Sequence, residues 1–71
     1  MKTGDKVKVI DNLVDENLGL IDCEGIVYRT WLESYMHPCN VEVELTKLTE
    51  TVWEYDLHDI VGFNMKELEV I

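Results

Sequence analysis

A chain of 71 residues, 46% of them hydrophobic and only one a proline, is too apolar to stay disordered and too short for more than one domain, burying about 60% of the surface its unfolded form exposes. Six Lys and Arg against fifteen Asp and Glu give a net charge of −9. That balance lacks the basic stripe with which proteins neutralise phosphates, and so excludes direct nucleic-acid binding.

No apolar run approaches the roughly 20 residues of a membrane span, and Lys2-Thr3-Gly4-Asp5 lacks the apolar segment of a signal peptide, so a single cytoplasmic domain over residues 1–71 without membrane contact is expected. Residues 1–29 hold six acids and four bases, a balance of −2, whereas residues 30–71 hold nine acids and two bases, a balance of −7. The charge is concentrated in the second half. Cys23 and Cys39 are too few for a disulfide scaffold; reduced thiols are expected, with their pairing left open.

In chain order, Gly4-Asp5 reads as a turn and residues 6–10 as a first strand, with Val7 and Val9 inward and Lys6 and Lys8 toward water. Lys2, Lys6 and Lys8 make at most a weak basic patch and read more simply as guards of a strand edge. Residues 11–22 read as a packed loop, with turn chemistry at Asp11-Asn12 and Asn17-Leu18-Gly19 and with Leu13, Val14, Leu18, Leu20 and Ile21 covering one end of the core. Gly25 opens a β-branched and aromatic run over residues 26–31, the second strand.

Residues 33–39, with Ser34, Tyr35, Met36, His37 and Pro38, read as a loop. Val41-Glu42-Val43-Glu44-Leu45 then alternates strictly, with Val41, Val43 and Leu45 inward and Glu42, Glu44 and Thr46 outward. After a turn over residues 47–50, residues 51–57 alternate again, Trp53, Tyr55 and Leu57 on one face and Glu54 and Asp56 on the other. They predict a fourth strand in a hairpin with the third. Residues 58–63 read as an irregular connection bent at Gly62. Asn64, followed three positions later by Glu67, is the signature of one capped helical turn, and residues 68–71 close as a fifth strand.

The expected fold is all-β: a small five-stranded antiparallel barrel with one short helical turn before the last strand, a partly open two-sheet sandwich being its nearest rival. Gly4-Asp5-Lys6-Val7-Lys8-Val9, Glu24-Gly25-Ile26-Val27, Val41 to Leu45, and Phe63 with Glu67 to Ile71 resemble the SH3-like small barrels. Similar layouts occur in KOW domains of transcription and translation factors, in the small barrel subunit of photosystem I and in the variable chain of ferredoxin-thioredoxin reductase. The resemblance implies a docking or scaffold module rather than a catalyst. A glycine at the start of such a strand is read as supplying positive φ after a tight turn. Two departures stand out: fifteen residues separate Val9 from Gly25, and the basic surface of RNA-binding KOW barrels is missing. Fold and docking habit carry over; no site residues do.

The candidate binding residues are Glu42, Glu44, Glu54 and Asp56, placed on one face by the predicted hairpin, together with Trp31, Tyr35 and Met36. Like charges facing across strands destabilise by about 0.2–1 kcal/mol per pair, so a fold gains little from such a face unless it meets a partner; solubility is the plainer explanation. Trp and Tyr are enriched at interface hot spots, although Trp53 and Tyr55 are assigned to the core. His37, Cys39, Cys23 and His58 are zinc-type ligands at spacings unlike those of structural zinc sites, so no metal or other cofactor is assigned. Without an orienting acid or an oxyanion loop, and with little room for a closed pocket, the chain is not read as an enzyme.

The function expected from the sequence is therefore a non-catalytic protein-interaction module or accessory subunit, monomer or homodimer, that meets a basic or mixed protein surface. The alternatives are an acidic mimic of nucleic acid of the kind phages and mobile elements encode, with i and i+2 carboxylates roughly 6.5–7 Å apart along a strand, and a zinc-stabilised structural domain.

Overall fold

The computed structural model describes residues 1–11, 19–30 and 40–71. Five antiparallel strands, β1 (Lys6–Val9), β2 (Glu24–Thr30), β3 (Val41–Lys47), β4 (Ile60–Phe63) and β5 (Leu68–Val70), form one sheet in the order β4-β3-β2-β1-β5. A 3-10 turn, Met65–Glu67, precedes β5. Among the described residues no helix is long and apolar enough to cross a membrane.

Alternation sorts the side chains as β3 predicts. Val41, Val43 and Leu45 are fully buried, joined in the core by Val7 and Val9 of β1, Val27 of β2, Val61 and Phe63 of β4, Leu68, Leu20 and Cys23. Each such aliphatic side chain contributes about 1.5–3 kcal/mol by leaving water. Cys23 is a free, buried thiol. Ile21, expected among the residues covering the core, is instead exposed, while Leu20 beside it is buried.

The fourth strand departs from expectation. It is formed not by residues 51–57 but by Ile60–Phe63, the stretch read as an irregular connection, pairing Val61 with Val43 and Phe63 with Val41. The physical reason lies in the alternative faces. Trp53 is 86% exposed and Leu57 is exposed as well, while the residues packed against the core are Val52 and Tyr55, three apart and thus off the two-residue period. Val61 and Phe63 deliver a compact apolar pair in register with β3, and Gly62 between them lies opposite Glu42 rather than at a bend.

Three turns of one construction launch three of the strands. In residues 2–5, 20–23 and 56–59 the fourth residue's N–H donates to the first residue's carbonyl, at 3.0, 3.0 and 3.2 Å. The third residue has positive φ: +94° at Gly4, +75° at Asp22 and +75° at His58. That third residue donates to a carbonyl of the facing strand, and the same facing residue donates back to the fourth residue's carbonyl. Val27, Val9 and Leu45 are the facing residues. An extra residue in the left-handed region opposite one partner is a bulge built for a glycine, and only the first of the three has one. Because a Cβ in this region costs about 1–2 kcal/mol, His58→Gly should be more stable than His58→Ala by about 1 kcal/mol, both having lost the imidazole, and equal melting temperatures would refute the strain.

The positive φ expected of a glycine at a strand start is found at Gly4, and Gly25 has another role. It lies within β2, opposite Leu45, and a Cβ there would stand 2.5 Å from the Glu44 carbonyl oxygen and closer still to the Val43 side chain. Positive φ belongs to Gly4, space to Gly25. The basic side chains of β1 also differ from their reading as edge guards, since β1 is paired on both sides, with β2 and β5.

Candidate functional site

The outward side of the sheet consists of rows of residues paired across strands. One row runs Lys47, Glu24, Lys8, Glu69, alternating in sign, with Glu24 lying 3.6 Å from the Lys47 ammonium and 3.9 Å from that of Lys6, and Lys8 lying 3.7 Å from Asp22. Such exposed pairs are worth at most about 1 kcal/mol each. They leave the lysines of β1 engaged rather than presented as a patch.

The next row runs Ile60, Glu44, Ile26, Lys6. Ile60 and Ile26 are 45% and 42% exposed, so Glu44 stands between two half-bare isoleucines. Its carboxylate is hydrogen-bonded to His58 Nδ1 at 2.9 Å. Beyond it Glu42 lies between Gly62 and Arg29 and accepts from Arg29 Nε at 2.7 Å. A register shift between Val27 and Arg29 leaves both Tyr28 and Arg29 exposed on β2, a bulge that turns an aromatic ring toward the same solvent.

The four predicted carboxylates therefore fall into two separate pairs. Glu42 and Glu44 share the outer face of β3, whereas Glu54 and Asp56 lie on the connection over residues 48–59 and are not opposite them. The cross-strand repulsion expected of a hairpin does not arise: the partners of Glu44 are two isoleucines, and that of Glu42 on β2 is an arginine. Trp31, Tyr35 and Met36 lie outside the described residues, as do His37 and Cys39. Of the zinc-type residues within them, Cys23 is buried in the core and His58 is exposed at the surface against Glu44; no cluster of His, Cys, Asp and Glu there is arranged to hold a metal ion.

Sequence reading missed the isoleucines, although a signal existed. Val27 must face the core and Gly25 shares its side, so Ile26 between them is forced outward. Ile60 was hidden by the assignment of the fourth strand to the wrong stretch. No protein-family model, curated protein or solved structure matches this chain.

Proposed function

We propose that this chain is a non-catalytic protein-interaction module of the cytoplasm, built as an SH3-like small barrel, which docks through the outer face of β2, β3 and β4 onto a mixed protein surface. The strand order, with the capped 3-10 turn between β4 and β5, supports the barrel reading, and the free Cys23 thiol suits a reducing compartment. One observation carries the docking reading. Ile60, Glu44 and Ile26 stand side by side across three strands, apolar on both flanks of a carboxylate, on a face whose neighbouring row is wholly charged. Apolar residues adjoining one anion fit a partner with an apolar strip and a cation at its centre. A nucleic-acid mimic draws less support, because isoleucines rather than further carboxylates flank Glu44 and the four predicted carboxylates do not share one face, and a zinc domain draws less because Cys23 and His58 lie in unlike places.

Affinity capture with the wild-type chain, an Ile26→Ser/Ile60→Ser/Glu44→Lys variant and a Glu54→Lys/Asp56→Lys variant tests the reading. The first variant should lose the partner that the wild type retains, with its melting temperature held within about 5 °C because all three side chains lie on the solvent face. Equal recovery by a folded triple variant would refute the proposed face.

A further inference from the structure

We infer that the connection between β3 and β4 forms a second contact, separate from the sheet face, in which the Trp53 ring receives an arginine side chain of a basic peptide segment. Over residues 48–59, Val52 and Tyr55 pack against the core while Trp53 is 86% exposed and Leu57 is half-exposed. The connection is held to the sheet at its far end, where His58 N–H donates to the Leu45 carbonyl at 2.7 Å and Leu45 N–H to that of Asp59 at 2.9 Å. Within it Val52 N–H donates to the Thr49 carbonyl, the Thr49 and Thr51 hydroxyls lie 3.0 Å apart, and Asp56 N–H donates to the Asp59 carboxylate. The indole is thus the most exposed large hydrophobic side chain of the described residues, on a segment tied down at several points.

Charge decides what fits it. Glu50, Glu54, Asp56 and Asp59 lie on this connection, and no Lys or Arg occurs between Lys47 and Lys66; its one basic group, His58, is hydrogen-bonded to Glu44. A wholly apolar partner would have to approach a connection that carries four carboxylates, and a second copy of the chain would add another net −9. A guanidinium satisfies both features at once, stacking its plane on the indole while its N–H groups face carboxylates. Lysine supplies the charge without the plane.

Calorimetric titration of the full chain with hexa-arginine and hexa-lysine at physiological salt tests this contact, using Trp53→Ala, Glu54→Gln/Asp56→Gln and, as a control, Ile26→Ser/Ile60→Ser. Trp53→Ala should weaken hexa-arginine by about two- to fivefold and hexa-lysine by less. The carboxamide variant should weaken both peptides, and the sheet-face variant should bind both as the wild type does. Hexa-arginine affinity unchanged by Trp53→Ala would overturn the contact and leave only adsorption to net charge; so would a loss of equal size in the sheet-face variant. An equal loss for both peptides would overturn the assignment to arginine. Since the control variant alters only the sheet face, failure here leaves the docking reading intact, and failure of that docking leaves this contact intact.

Discussion

Gly25→Ala should cost the fold about 3 kcal/mol or more, a large share of the roughly 4–10 kcal/mol available to a domain of this length. The added methyl meets the Glu44 carbonyl oxygen and the Val43 side chain, and neither has room to give way. Val43 is fully buried on the strand that joins β2 to β4, and the carbonyl is part of the backbone that sets the spacing of the two strands. Relief would require β2 and β3 to separate, and with them Val27, Val41 and Leu45 to loosen. Chemical denaturation reads the effect: the urea midpoint should fall by about 2 M at the slopes usual for small proteins. Gly4→Ala provides the contrast, since its Cβ would meet nothing within 4 Å and the cost is confined to a φ of +94°, about 1–2 kcal/mol. A Gly25→Ala protein as stable as the wild type would mean that the two strands lie farther apart than described.

Glu67→Ala should cost about 3 kcal/mol and Asn64→Ala about 1 kcal/mol, although the two residues are the halves of one capping box. Asn64 Oδ1 accepts from Lys66 N–H at 3.0 Å near the surface, where water can replace it. Glu67 is fully buried, and its carboxylate accepts from the Asn64 N–H at 2.7 Å. Its truncation leaves that donor without its acceptor and empties a space inside the protein. The same short turn is also held from outside, by Ile10 N–H donating to the Glu67 carbonyl and Met65 N–H to the Asn40 side chain, so a disturbance there reaches the ends of β1 and β3. Parallel thermal melts decide the matter; equal losses for the two variants would show that burial of the carboxylate contributes nothing.

The all-β class, β1, β2, β3, the capped turn and β5 were legible from residues 6–10, 26–31, 41–45, 64–67 and 68–71, because alternation, β-branched and aromatic runs and capping are all local signals. The fourth strand was not. Residues 53–57 alternate as Val41 to Leu45 do, and alternation alone does not tell a run that pairs from one that does not; the decision is made by which run places its apolar side against Val41 and Val43. Val61 and Phe63 do so, from a stretch in which the adjacent Ile60 and Val61 and the intervening Gly62 hide the alternation. The candidate site inherited that error. Glu42 and Glu44 were readable as outward, and Ile26 could have been, but which residues stand beside the two carboxylates depends on register across strands, so Arg29, Ile26 and Ile60 were recognised as their neighbours only with the pairing.

The three launching turns also bear on how the molecule opens. Val27, Val9 and Leu45 each commit their amide proton to the carbonyl at the end of one of these bends, so the three protons report on three separate latches, and solvent hydrogen exchange at them can tell whether the molecule unzips from one corner or lets go everywhere together. Where the latch rests on glycine, the opening should be rarer than where aspartate or histidine sits in its place.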